Sequence, residues 1–198
     1  MKNLVFKLLT GVIFLTALLT GCIRSLYYRT QEYNDEFKNS KKQIARMDVR
    51  PQESRTDVDY ARIIFEREIS DNHDITKAYF VISRSPISFR TDQTGFLKID
   101  NDAYEITLDY ILSEQKADTE ISTSSYIKSD STGVSSGSSA SSDTNLWIDD
   151  KFMITLTPEM ISKIRMADVL IIRFYFGPIP GTFKIKGYDL NQLKKILN

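Results

Sequence analysis

Cysteine occurs once in these 198 residues, at Cys22, and histidine once, at His73. A single cysteine cannot close a disulfide within one chain, even in an oxidising compartment, so stability has to come from a buried core. One histidine and one cysteine also exclude zinc sites built from those ligands. His73 stands in Ser70-Asp71-Asn72-His73-Asp74 between two strand-like runs, the setting of a solvated turn residue rather than of a catalytic base. A Ser-His-Asp triad would have to use it, yet the sequence has no Gly-x-Ser-x-Gly elbow. The eight glycines form neither the phosphate-loop nor the dinucleotide-binding pattern. No cofactor is expected. An excess of charge of one sign is missing too, with 26 Lys and Arg against 26 Asp and Glu. Nucleic-acid binders normally carry a strongly basic face, so no nucleic-acid partner is expected.

The chain does have a marked N-terminus. Lys2 and Lys7 form a short positive head, and residues 8–19 are apolar apart from Thr10, Gly11 and Thr16. That run suits the apolar region of a secretory signal and is short of the ~20 residues a spanning helix needs. It ends in Leu19-Thr20-Gly21-Cys22, which resembles the lipobox of bacterial lipoproteins: an aliphatic residue, two small residues, then the cysteine that is modified. The resemblance implies cleavage after Gly21, a diacylglyceryl group on the Cys22 thiol, and often acylation of the new amine. Two or three fatty chains anchor a protein stably where one holds it only marginally. Cys22 is thus expected to be an anchor, not a redox or catalytic thiol. Position 23 is Ile rather than the Asp that marks inner-membrane retention in enteric lipoproteins, so the resemblance favours the outer membrane of a Gram-negative host. Loss of Lys2 and Lys7 leaves 24 positive against 26 negative residues, a net charge of about −2.

Residues 1–21 are accordingly read as a signal peptide and 22–57 as a lipidated polar tether of mixed charge. As a flexible coil, roughly 35 residues would span about 30 to 35 Å. Tyr33, Phe37, Ile44 and Met47 would also fit a narrow helical stripe, and residues 45–49 an edge strand before Pro51. Lys41 and Lys42 are expected to be solvated.

From residue 58 to 198 aromatic and β-branched residues recur in runs bounded by Asp, Asn, Ser, Gly and Pro, a β pattern. Residues 58–69 and 76–83 read as strands, the second apolar on both faces and so central. Pro86 limits residues 87–89 to a short edge piece. Residues 96–99 and 103–112 form a hairpin around Asp100-Asn101-Asp102, since Asp and Asn tolerate the left-handed backbone of tight turns. Residues 152–156 make a short strand, and 169–176 pair with 182–186 through Gly177-Pro178-Ile179-Pro180-Gly181. Thr157 as N-cap with Pro158 behind it starts a helix to residue 166. A second helix, residues 190–197, is capped by Asp189 with Gln192 in a capping box and turns Leu190, Leu193, Ile196 and Leu197 inward. Between strands, eleven of the 23 residues from 122 to 144 are serine. So little apolar surface does not offset the entropy of ordering, and residues 113–146 read as a disordered Ser-rich loop.

The expected fold is mainly β, an antiparallel β-sandwich of about seven or eight strands with two short helices near the C-terminus. The expected function is that of a non-enzymatic envelope lipoprotein, a binding or assembly module held to the membrane by its N-terminal lipid and engaging an envelope protein partner. One alternative is a carrier of an apolar small molecule or lipid. A second is a glycoside hydrolase using two carboxylates, for which Asp149 and Asp150 beside Trp147 are the nearest candidates, although nothing in their spacing is diagnostic and an exposed turn is the plainer reading. Asp100, Asp102 and Glu105 offer oxygen ligands of the kind calcium takes but lack the spacing of an EF-hand loop, and a hairpin turn accounts for them.

Overall fold

The computed structural model describes residues 30–53, 58–130 and 133–198, with the backbone alone over 126–130 and 133–137, and forms ten strands, those of the core on a period-two alternation of apolar residues. The order is β1 (Thr30–Asp35), β2 (Ser40–Val49), β3 (Val58–Ser70), β4 (His73–Arg84), β5 (Thr94–Ile99), β6 (Asp102–Thr107), β7 (Asp109–Asp130), β8 (Gly133–Thr155), α1 (Pro158–Met166), β9 (Val169–Phe176), β10 (Ile179–Lys186) and α2 (Tyr188–Leu197). One sheet runs β1-β2-β3-β4-β8-β7 and the other β10-β9-β5-β6, with antiparallel neighbours throughout. The lipobox residues Leu19, Thr20, Gly21 and Cys22 lie outside the described residues.

The inward faces meet in one apolar core. Ala61, Ile63 and Phe65 of β3 lie opposite Ile82, Phe80 and Ala78 of β4, which in turn oppose Asp150, Phe152 and Ile154 of β8. The second sheet contributes Leu97 and Ile99 from β5, Leu170, Ile172, Phe174 and Phe176 from β9, and Phe183 and Ile185 from β10, all buried. Phe80 and Phe174 join the layers edge to face, with centroids 5.1 Å apart and planes at 70°, the arrangement aromatic quadrupoles favour. The mainly β, two-sheet fold expected from the sequence is the fold observed.

Several local expectations are corrected. Most of the described part of the supposed tether, residues 30–53, is sheet: β1 and β2 add two strands to the edge of the larger sheet, bringing the total to ten. Ala45 and Met47 reach the core at 1% exposure each, while Arg46 between them faces solvent. Residues 51–53 then cross to the other sheet, where the Gln52 amide donates to the Thr182 carbonyl at 2.8 Å and Glu53 Oε2 accepts from the Thr182 amide at 2.8 Å. The run 103–112 is not one strand. It breaks at buried Leu108, where the chain leaves the smaller sheet as β6 and joins the larger as β7. Residues 87–89 form no strand; they belong to the turn-containing connection between β4 and β5, with Ile87 and Phe89 exposed.

Both expected helices form, the first on its predicted cap. Thr157 Oγ1 accepts from the Met160 amide at 3.2 Å. At α2 the N-cap is Gly187, at φ 57°, rather than Asp189, which falls in the first turn. A left-handed backbone lets the chain reverse from β10 straight into the helix, and glycine reaches it without a Cβ penalty. Leu190, Leu193, Ile196 and Leu197 are buried as expected. The last carbonyls of α2 are held by two arginines: Arg67 Nη1 donates to Ile196 O at 3.0 Å, and Arg165 Nε to Leu197 O at 2.8 Å.

Candidate functional site

The stretch 113–146, expected as a disordered loop, is instead the greater part of a long ribbon. β7 and β8 pair without interruption from Leu112↔Lys151 to Asp130↔Gly133. β4 accompanies β8 only as far as Ile148, opposite Arg84. Beyond that point residues 116–130 pair with 133–147 alone, fifteen on each strand. At about 3.3 Å per residue the ribbon projects ~50 Å from the sandwich, and neither outer edge is paired among the described residues. Described side chains along it are exposed, apart from half-buried Trp147 at its root. Hydroxyls answer one another across it: Thr119 with Thr144 at 3.2 Å, Ser122 with Ser141 at 2.7 Å and Ser124 with Ser139 at 2.8 Å. These cross-strand bonds and the ladder order a serine-rich sequence with no core of its own.

The root of the ribbon carries an almost sealed polar cluster. Asp150 faces inward from β8, and its carboxylate accepts from Arg84 Nε at 2.7 Å, Thr91 Oγ1 at 2.9 Å and Ser113 Oγ at 2.6 Å. Arg84 Nη1 reaches the carbonyl and hydroxyl oxygens of Ser88, both at 3.3 Å. The Arg84 and Asp150 side chains are 4% and 5% exposed. Burial pushes the Asp150 carboxyl up, but the hydrogen bonds from Arg84, Ser113 and Thr91 outweigh it and hold it below the ordinary value of 3.8. The cluster floors an open cleft of about 580 Å³ whose walls include Arg90, Tyr110, Ile148 and Phe152. Pro86 also lines the cleft, and nearby in the chain Ile87 and Phe89 of the β4–β5 connection and Ile111 of β7 are exposed apolar residues.

Asp149 and Asp150 are corrected from an exposed turn to the interior of β8, each 3% exposed. Successive strand residues face opposite sides of a sheet. Asp149 therefore points away from Asp150; it accepts from Ser83 Oγ and pairs with Lys116 Nζ at 2.8 Å. Two carboxylates separated by the sheet do not flank one substrate bond, and Asp150 is held ionised rather than poised as an acid. Trp147 lies one step further out, paired in register with Lys116.

The remaining candidates fall in turns. His73 opens β4, with Nδ1 2.7 Å from Ser70 Oγ across the β3–β4 hairpin. Asp100 has φ 50°, and its Oδ1 accepts from the Asp168 and Val169 amides at 3.0 and 2.9 Å. Asp102 pairs with Lys163 at 2.7 Å. The calcium-like oxygens thus fasten a hairpin to β9 through Asp100 and to α1 through Asp102.

A second recess, about 440 Å³, lies on the outer face of the smaller sheet, where Phe96 and Tyr175 meet edge to face at 6.1 Å with Lys98 and Arg173 alongside. No helix among the described residues is long and apolar enough to cross a membrane. The molecule is a two-sheet, antiparallel β protein distinguished by a projecting ribbon with a polar cleft at its root. Comparison with protein-family models, curated proteins and solved structures finds no match for the chain.

Proposed function

We propose that the chain is a membrane-anchored bacterial envelope lipoprotein, non-enzymatic, whose sandwich serves as a rigid mount for an assembly element, the β7–β8 ribbon. The resemblance of Leu19-Thr20-Gly21-Cys22 to a lipobox supports the anchor, with the outer membrane favoured in a Gram-negative host. The observation that carries the assembly role is the ribbon's pair of unpaired edges, ~50 Å long. Exposed edges present rows of unsatisfied amides and carbonyls that template pairing with another chain. A two-stranded ribbon is marginal by itself in water, so a protein partner that completes the ladder stabilises both.

The alternatives have less support. A lipid or small-molecule carrier needs an apolar cavity, and the space between the sheets is occupied by Phe65, Phe80, Phe174, Phe176 and Phe183. A carboxylate glycosidase needs two acids facing one cleft, which Asp149 and Asp150 do not provide. The test is affinity recovery from crosslinked envelopes with the intact lipoprotein and with a variant lacking residues 122–144. Specific partners recovered by the first and lost by the second are expected; an identical set with both would overturn the ribbon's role.

A further inference from the structure

Charge is segregated along the ribbon with a period of two. On β7, Ala117, Thr119, Ile121, Thr123 and Ser125 share one face, and their register partners on β8 are Leu146, Thr144, Ser142, Ala140 and Ser138. None of these ten residues is charged. Lys116, Asp118, Glu120 and Asp143 all fall on the opposite face, with Ser122, Ser124, Ser139 and Ser141. Among the side chains described in this region, the two exposed large apolar residues, Ile121 at 73% and Leu146 at 44%, are both on the charge-free face. On that face the Thr119 and Thr144 hydroxyls share one hydrogen bond at 3.2 Å. In the sequence, the next charges, Lys128 and Asp130, recur at the same even spacing as Asp118 and Glu120.

We propose that the ribbon crosses a lipid bilayer as the strand pair of a closed β-barrel assembled from several copies of this chain, its charge-free face toward lipid and its charged face toward the lumen. The inference deepens, and rests on, the lipid-anchored reading above. Membrane strands alternate lipid-facing and lumen-facing residues, and a tilted strand needs about 9 to 11 residues to span. Each strand of the free ribbon has fifteen. An open-edged ribbon cannot stay in lipid with its backbone groups unpaired, so the edges have to be closed by like ribbons. Its two edges differ, one from β7 and one from β8; β7 of one copy on β8 of the next is a head-to-tail contact that closes into a ring. Roughly four or more copies would supply the eight strands of the smallest barrels.

The position of the anchor agrees. Thr30 is level across the sheet with Ala45, Phe65, Ala78 and Ile154, and β1 runs from there toward the end of the sheet that holds Ser40, Ser70 and His73. The chain therefore enters β1 heading away from the ribbon root. Thr30 is six residues along β8 from the root at Ile148, or about 20 Å. Cys22 precedes Thr30 by eight residues, at most about 28 Å of chain. A lipid on Cys22 can reach the level at which the ribbon leaves the sandwich, so the membrane surface and the ribbon root can coincide.

The test uses the full lipidated chain in vesicles of phosphatidylethanolamine and phosphatidylglycerol. Cys22 is the only cysteine, so once it is acylated Thr119→Cys, Ile121→Cys and Thr123→Cys, and separately Asp118→Cys, Glu120→Cys and Ser122→Cys, each give a single thiol for an environment-sensitive fluorophore, with the parent chain as blank. All six sites are exposed and outside the core, and an unchanged melting temperature checks that the sandwich is intact. The expected result is alternation: severalfold brighter emission quenched by lipid-borne quenchers at 119, 121 and 123, and quenching by aqueous iodide at 118, 120 and 122. Uniform iodide quenching at all six would overturn the inference. If that uniform result came with flotation on vesicles and crosslinking to an envelope protein, the anchored assembly reading would survive alone; with neither flotation nor crosslinking, both would fall.

Discussion

Arg84 Nε donates to Asp150 Oδ2 over 2.7 Å on the inner side of the sheet, at the level where β4 ends and β8 continues with β7 only. The pair closes the sandwich beneath the ribbon and fixes the strand that carries it. Removing one partner of a buried pair leaves the other charge uncompensated, so Arg84→Met is expected to lower stability by about 3 to 5 kcal/mol. The double variant Arg84→Met, Asp150→Leu should recover part of that loss. Urea unfolding of the single and double variants is the check; a neutral Arg84→Met would show that the pair is dispensable.

The same cluster sets an acid limit. Because the folded protein holds Asp150 below its ordinary value of 3.8, the unfolded chain takes up the proton first as pH falls. The stabilisation is complete above that ordinary value and disappears as pH falls through the lower folded one. Asp74, lowered mainly by its hydrogen bond from Arg67, acts in the same direction. Asp150→Asn should therefore be less stable than the parent at neutral pH and flatten the acid limb of its stability profile below about pH 4. An unchanged acid limb, followed by denaturant midpoints across pH, would contradict this.

β2 is expected to behave as core and not as linker. Met47→Ala should lower stability by about 2 to 5 kcal/mol, the usual loss for truncating a fully buried side chain, while Arg46→Ala, on the exposed side of the same strand, should stay within about 0.5 kcal/mol. Chemical denaturation of both variants separates a strand from a tether.

α2 is expected to be structural. Leu193 is fully buried, and Leu193→Ala should cost about 2 to 5 kcal/mol. Truncation after Gly187 removes four buried side chains from a fold whose total stability is of order 5 to 15 kcal/mol, so the truncated chain should unfold. Lys194→Ala and Lys195→Ala should be nearly silent. A truncated chain with the parent's urea midpoint would show α2 to be a free tail.

Anchoring and ribbon should separate cleanly from folding. Deletion of residues 122–144 with a short glycine-serine join should shift the melting temperature by only a few degrees, since no core side chain is lost. Cys22→Ser should abolish incorporation of a clickable fatty acid while leaving the purified domain's melting curve unchanged. Label retained by the Cys22→Ser chain would place the lipid elsewhere.

Strands carrying several core residues in alternation were legible: Phe65 with Ile63 and Ala61 in β3, and Phe176 with Phe174, Ile172 and Leu170 in β9. So was α2, whose four apolar residues fall on one helical face. Of β2 only residues 45–49 stood out, as an alternative to the tether, because only Ala45 and Met47 among its ten residues are both apolar and buried, and charged neighbours dilute so sparse a signal. β6 and β7 read as one strand because alternation continues through Leu108; nothing in the local pattern marks a change of sheet. The Asp149–Asp150 cluster was invisible because its partners Ser83, Arg84, Thr91 and Ser113 come from other elements. The ribbon was mistaken because serine content argues against a core, and a ribbon needs none. The signal present was the even spacing of Asp118, Glu120, Lys128 and Asp130.

The direction in which the chain enters β1 also decides how the domain bears a mechanical load. β1 is an edge strand joined to β2 by six residue pairs, from Thr30↔Ala45 to Asp35↔Ser40. A membrane at the ribbon end would pull on Thr30 along the strand axis, while the ladder bonds lie perpendicular to it. All six pairs would then be strained in shear together instead of peeling open one by one, so the strand closest to the anchor resists extraction as a unit.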